Sequence, residues 1–449
     1  MQTRLHKRHT LILTYSLYIM KVDEYDIQLY NPQLRGKKFE VPPTKRKIFG
    51  KVERTLEVGG ITSIVGLRRV GKTILVKQLL NSLIDRGREV FYFSFDEERY
   101  AVQDGLDSVI RTALEIMDSP IVALDEISRI RGWSGIVKKY HDAAGIRFLL
   151  SGSSSLEITK GKESLAGRLH DIYLPPLQYM EFVSFLRGRD PEEGPVMDLL
   201  NPERTFARLK DRRCLEQFIS RGGFPELVGA GDDDFARKYI ISSTVEKIIF
   251  EDLPKAFDIK DENALFRIWE LVSANPSMLF VPSNLEHVIG LSRETISRYL
   301  FYLERAYLVN SVFREGSVTS KMRKGRKVYP PTACIAYQIG RDDTSMGAVA
   351  ETAVLDKLLN GFGMKVRFHS GKGRSEVDFI ADGIPIEVKY QATITPSDHH
   401  NLVGYMRKRG VSRGVMVTRS NSGRVETKYG TVVMIPLELF LQLEKMTSA

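Results

Sequence analysis

The sequence predicts an α/β chain of several domains, and three observations carry that reading. Between residues 48 and 155, short apolar runs sized for single buried strands alternate with segments long enough for helices. A glycine-rich loop pattern joins the first of these runs to a helical segment. After a largely helical middle, residues 331–449 return to alternating strands and helices. At 449 residues the chain is too long for one ordinary domain. The expected divisions are 1–45, 46–185, 186–260, 261–330 and 331–449.

Composition sets the class. A hydrophobic content of 43% with 27% charged residues is globular. The net charge of +10 favours acidic partners such as nucleotides or nucleic acid. Cys214 and Cys334 lack the spacing of a metal cluster or a disulfide framework and read as reduced core residues of a cytoplasmic protein. No run approaches the roughly 18 consecutive apolar residues a membrane helix needs, so no membrane span is expected.

Residues 1–45 are basic and aperiodic, ending in VPPTKRK. LILTYSLYIM (Leu11–Met20) imitates the apolar region of a signal peptide, but no small-residue cleavage site follows. The expected start is therefore Met20, which opens MKVDEYDIQLYNP.

From Ile48 onward, ITSIVG, EVFYFSF, PIVALDE and IRFLLSGS read as buried parallel strands. GLRRVGKT, Gly66 to Thr73, follows ITSIV and opens the helical ILVKQLLNSL. That strand–loop–helix context is what a phosphate-binding loop requires. Gly66 and Gly71, with Arg68 and Arg69 between them, let backbone N–H groups wrap phosphates at a helix N-terminus. Lys72 would reach the β and γ phosphates of ATP, and Thr73 would hold Mg²⁺. In IVALDE, Asp125 is placed to hold the Mg²⁺ shell and Glu126 to deprotonate the attacking water. The strand ending in LLSGSSS offers hydroxyls, Ser153 foremost, to sense the γ-phosphate; a serine-rich turn and helix cap is the equal alternative.

GLRRVGKT, ALDEI, LLSGSSS, SLAGR, LPPLQYMEF and GGFPE (Gly222–Glu226) occur in that order. Together they resemble the archaeal and bacterial AAA-type ATPases that carry a C-terminal DUF4143 domain. The resemblance implies a RecA-like P-loop core over 46–185, a helical lid over 186–260, and ATP with Mg²⁺ as ligands. It also implies Arg168 of SLAGR as a contact to phosphate, from the same chain or from a neighbouring copy in a homo-oligomer. GGFPE marks the family without a chemistry of its own.

Within 261–330, NLEHVIG reads as a short helix, Ser292 as a cap and RETISRYLFYLERAYLV as a second helix. This is the pattern of a winged helix, whose second helix would carry major-groove contacts through Ser292, Arg293, Thr295, Ser297 and Arg298. The following TSKMRKGRKVYP reads as a basic hairpin, with Lys321, Arg323, Lys324, Arg326 and Lys327 facing a DNA backbone. Its alternative is a solvated edge protected by charge.

In EVDFIADGIPIEVKY, strand alternation puts Glu387 and Lys389 on one face, and the ADGIP turn can bring Asp378 beside Glu387. Facing carboxylates repel unless a cation lies between them, and a divalent metal there would activate water. Glu351, on the helical GAVAETAVLDKLL, could complete the metal shell. Glu351, Asp378, Glu387 and Lys389 resemble the PD-(D/E)XK nuclease pattern, which implies a nuclease-like α/β domain over 331–449. Two functions stay open: a DNA-acting ATPase with an active nuclease, and a nucleotide-switched interaction protein whose nuclease-like domain cuts nothing. His399–His400 reads as a surface loop, and MRKRGVSRG (Met406–Gly414) as a helix end and loop whose basic charge would extend a nucleic-acid surface.

Overall fold

The computed structural model describes residues 21–152, 165–199, 202–206, 214–316, 325–340, 345–371 and 375–447. The expected start at Met20, Ser153 and the hairpin cations Lys321, Arg323 and Lys324 lie outside these residues. The chain divides into two compact units, one of residues 1–66 and 72–174, the other of 67–71 and 175–449. Among the described residues no helix is long and apolar enough to cross a membrane.

The first unit is built on five parallel strands: β1 (Ile61–Val65), β2 (Val90–Ser94), β3 (Ile121–Asp125), β4 (Arg147–Gly152) and β5 (Leu169–Tyr173). Their order is β2-β3-β4-β1-β5. Every residue of β1, β2 and β3 is buried, as expected for parallel strands covered on both faces. The connecting helices include α1 (Lys72–Asp85), α2 (Gln103–Ile116) and α3 (Trp133–Ala144). In parallel strands all the carboxyl ends lie on one edge of the sheet, so Val65 and Asp125 finish on the same side.

In the second unit, β6 (Val196–Asp198) precedes a helical stretch that leads into α4 (Glu262–Ala274). Then follow β7 (Leu279–Phe280), α5 (Pro282–Ile289), α6 (Arg293–Arg305), β8 (Asn310–Arg314) and β9 (Arg326–Tyr329). Gly290 closes α5 in the left-handed region, and the Ser292 hydroxyl accepts from Thr295 N to start α6. The rest comprises α7 (Met346–Asp356), β10 (Val366–Ser370), β11 (Glu376–Ala381), β12 (Ile384–Lys389), α8 (His400–Arg409), β13 (Arg413–Thr418), β14 (Gly423–Thr427), β15 (Gly430–Pro436) and β16 (Lys445–Thr447).

A nine-stranded mixed sheet runs β14-β15-β13-β12-β11-β10-β8-β9-β7, and β6 pairs in parallel with β16. Alternate residues divide its faces, except where a register shift in the β10–β11 pairing puts Val377 and Phe379 on opposite sides. Phe379, Val415, Val417 and Val433 pack with Val349, Ala350 and Ala353 of α7. Val377, Met416 and Val432 pack with Leu402, Tyr405 and Met406 of α8. Two helical layers therefore sandwich this part of the sheet.

GGFPE acquires a structural reason. Gly223 has φ +94°, and a Cβ there would meet Thr332 Cγ2 at 2.9 Å. Its carbonyl accepts from Leu177 N at 2.9 Å. Only glycine meets both the backbone angle and the space.

Candidate functional site

Asp125, at the carboxyl end of β3, is 2% exposed. Its Oδ2 accepts from Thr73 Oγ1 at 2.7 Å and from Tyr92 OH at 3.0 Å. Ser151 Oγ donates to its Oδ1. Burial, then the Asp125 charge, push the Tyr92 phenol far above its ordinary range, so it stays a donor. Lys72, 6% exposed, donates from Nζ to the Gly66 carbonyl at 3.1 Å. Glu126 follows in the left-handed region, with φ +54° and ψ +33°. A non-glycine residue held there costs about 1–2 kcal/mol and marks a position fixed by its surroundings. Gly71, at φ +92°, meets the same demand within the loop at no steric cost.

Thr73 and Asp125 thus present a hydroxyl and a buried carboxylate to one point, a donor set that suits Mg²⁺. Arg68 and Arg69 turn elsewhere within the second unit. Arg68 Nη1 lies 3.0 and 2.9 Å from the two carboxylate oxygens of Asp252. Arg69 Nη1 lies 3.4 Å from Glu226 Oε1, which gives GGFPE a polar partner.

Arg168 is not brought to the phosphate loop within the chain. β5 runs parallel to β1, and Ile61 N, at the start of β1, donates to the Arg168 carbonyl at 3.0 Å. The loop leaves the other end of β1, about 16 Å away at roughly 3.3 Å per residue. Arg168 instead pairs through Nε with Asp142 Oδ1 at 2.7 Å.

Ser151 and Tyr92 were not singled out by sequence. β4 lies between β3 and β1, so Ser151, at the level of Ile64, arrives beside Asp125.

The second acidic centre lies in the other unit. Asp378 on β11 and Glu387 on β12 flank the antiparallel pair Phe379–Ile386. Asp378 Oδ2 accepts from Val388 N at 2.9 Å. Glu387, 2% exposed, meets Lys389 Nζ at 2.8 Å through Oε1, while its buried Oε2 has no hydrogen-bond partner among the described residues. Glu351 comes from α7, and Tyr329 OH donates to its Oε1 at 2.6 Å.

Lys327 corrects the hairpin reading. Rather than facing solvent, it is 5% exposed. Its Nζ lies 2.6 Å from Glu376 Oε1, 3.3 Å from Glu351 Oε1 and 3.6 Å from Asp378 Oδ1. Burial opposes its charge, but Glu351, Asp378 and Glu376 outweigh burial and hold the ammonium above its ordinary value. Arg326 is also engaged, 2.8 Å from Glu304 Oε1. The alternation Lys327–Tyr329 and Glu376–Asp378 was the signal for this cluster, since each pair shares a strand face.

The expected metal shell of Glu351, Asp378 and Glu387 does not fit a divalent ion as built. An ammonium bridges two of these carboxylates, and no group of three His, Cys, Asp or Glu among the described residues could hold a metal. A cation and a metal cannot share one pocket without displacement.

Burial, then the Asp378 charge, raise Glu387 to about 8 and Glu351 to about 7, against an ordinary 4.5; their lysine partners oppose the rise. A raised carboxyl means that the folded state binds protons more tightly than the unfolded one. Stability from this source is complete below pH 4.5 and is lost as pH climbs through 7 to 8. The urea midpoint is therefore expected to fall between pH 5 and pH 9, and Glu387→Gln to flatten that fall. A midpoint that rises over this range contradicts it.

Residues 59–183 match the AAA domain family model. Residues 212–331 and 346–440 match two domains of unknown function, DUF8612 and DUF4143. Residues 59–183 are thus similar to AAA-type domains. An uncharacterised protein of Methanocaldococcus jannaschii is 28% identical over 274 residues, covering 59% of each chain. This chain therefore spans about three fifths of that relative's length. A second uncharacterised protein of the same organism is 22% identical over 91% of this chain and 89% of its own.

Solved structures overlap weakly. They include AMPPCP-bound DnaA from Aquifex aeolicus (14% identity, 59% of this chain, 89% of that one, TM-score 0.30). A signal transduction ATPase with numerous domains and a tetratricopeptide repeat sensor from Pyrococcus horikoshii gives 11% identity, 72% and 45% coverage, and a TM-score of 0.27. C. elegans PCH-2 gives 11%, 58%, 64% and 0.24. Overlaps this small carry no argument about fold or activity.

Proposed function

We propose that this chain, with its AAA-type ATPase domain, hydrolyses ATP and associates with DNA, and that its C-terminal carboxylate cluster does not cut. The contrast between two acidic centres carries the reading. Asp125 gathers hydroxyl donors beside the start of α1, whereas Glu351 and Asp378 enclose the chain's own Lys327.

In this reading the backbone of Gly66–Thr73 wraps the phosphates at the N-terminus of α1. Lys72 leaves the Gly66 carbonyl for the β and γ phosphates. Thr73 and Asp125 would hold Mg²⁺, which neutralises charge on the phosphate oxygens. Glu126 accepts the proton of the attacking water as the oxygen bonds to the γ phosphorus, and ADP departs with the broken bond's electron pair. Ser151 and Tyr92 fix the Asp125 carboxylate. Arg168, facing away from the loop within its own chain, has a phosphate role only from a neighbouring copy.

DNA association is supported by the +10 net charge and by the order of α4, β7, α5, α6, β8 and β9. With β9 between β7 and β8, this order supports reading the segment as a winged helix, with Arg293 and Arg298 exposed. A protein-interaction role for the same module is the second reading, favoured by Arg326 and Lys327 turning inward. The test incubates full-length protein with Mg²⁺ or Mn²⁺ and single-stranded, duplex and branched DNA. The expected result is ATP turnover with intact DNA; cleavage that Asp378→Ala abolishes overturns it.

A further inference from the structure

The exposed side of α8 carries two adjoining hollows that the carboxylate cluster does not use. One, of about 520 Å³, is lined by His369, Ser375, His400, Asn401, Arg407 and Lys408 among others. The other, of about 380 Å³, shares His400, Gly404 and Arg407 with the first and adds Val403, Val425 and Tyr429. Among the described residues no carboxylate lines either hollow. Among the described residues Arg407 and Lys408 have no ion-pair partner, whereas Arg409 is held by Glu315 Oε2 at 2.7 Å. The same Glu315 fixes the back wall, through His369 Nδ1 at 3.1 Å and Tyr405 OH at 3.2 Å. Unpaired cations around a concave surface without acids form an anion site.

Gly404 gives a second, independent indication. It lies inside α8, where glycine is the poorest choice after proline. Packing does not demand it, because a Cβ at Gly404 would meet nothing within 4 Å. What the missing side chain leaves open is the floor shared by both hollows. At the rim, Tyr429 is 37% exposed, with Arg407 5.7 Å from its ring centroid. An exposed ring beside apolar Val403 and Val425 offers a stacking face. Duplex DNA keeps its bases stacked internally and cannot use such a face, whereas a single strand can.

We infer that this groove binds a single-stranded nucleic-acid segment, with Arg407, Lys408 and His400 on its phosphates and Tyr429 stacked on a base. The inference rests on the proposed association with DNA and gives it a place and a strand preference.

The test is fluorescence anisotropy of the full-length chain with a labelled single strand of about 16 nucleotides and with its duplex. Combined Arg407→Glu and Lys408→Glu should weaken single-strand binding at least about tenfold. It should also lower the slope of log K against log salt by about 1.4, two contacts at about 0.7 each. Gly404→Gln, which favours the helix and fills the floor, should weaken binding about tenfold without changing charge. Tyr429→Ala should weaken single-strand binding about tenfold and leave duplex binding unchanged. ATP turnover should be preserved in all three.

Wild-type affinity in the charge-reversed protein overturns the groove. So does equal loss on strand and duplex while Gly404→Gln binds normally, which is diffuse electrostatics. If the wild type binds neither form, DNA association itself fails; if it binds and no variant weakens it, only the groove fails.

Discussion

Glu126→Gln should leave ATP bound and almost unhydrolysed, with turnover down about 10²–10⁴-fold, the usual contribution of a positioned general base. Affinity for a fluorescent ATP analogue should stay within a few-fold of wild type, since the phosphate contacts come from Gly66–Thr73. Glu126 is held at φ +54°, so Glu126→Gly should stabilise the fold by about 1 kcal/mol while also abolishing turnover. Opposite movement of stability and rate separates a strained catalytic position from a structural one. Lys72→Ala should lose turnover by losing phosphate contact, and its defect should show in nucleotide binding as well. Unchanged turnover in Glu126→Gln would mean that another group takes the proton.

The largest stability effect is expected at Lys327. Lys327→Met removes the ammonium that meets Glu351, Glu376 and Asp378, all within 3.6 Å. Breaking a buried ion pair from one side costs about 3–5 kcal/mol, because the remaining charges stay buried without compensation. Without the ammonium the Glu351 carboxyl should titrate higher still, so the loss should grow from pH 5 to pH 8. Adding Glu351→Gln should recover part of it, and that non-additivity measures the coupling. Urea unfolding of the four proteins gives the cycle. A loss below about 1 kcal/mol at every pH would place Lys327 among ordinary surface ion pairs.

These two residues also show what sequence could and could not reveal. The phosphate loop and the strand-end acids follow a fixed local pattern, so Lys72, Thr73, Asp125 and Glu126 are legible one by one. Arg168 is not, because its reach depends on which strand lies beside β1 and in which direction. Its placement at the start of β5 is a property of the whole sheet. Ser151 was not legible as a partner of Asp125 either, because the register between β3 and β4 decides that contact.

Lys327 was hidden by composition. Five cations around Gly325 read as a solvated surface, yet β9 lies within the sheet, between β7 and β8. Its alternation with Tyr329 points both side chains at Glu351. Long-range pairing between β9, α7 and β11 made a buried cation from what the local sequence presents as a phosphate contact.

Counting bound Mn²⁺ by electron paramagnetic resonance in the presence of a non-hydrolysable ATP analogue tests the central claim most directly. The account predicts one Mn²⁺ per chain, lost in Thr73→Ala combined with Asp125→Ala and untouched by Asp378→Ala. Two ions per chain, the second abolished by Asp378→Ala, would contradict it.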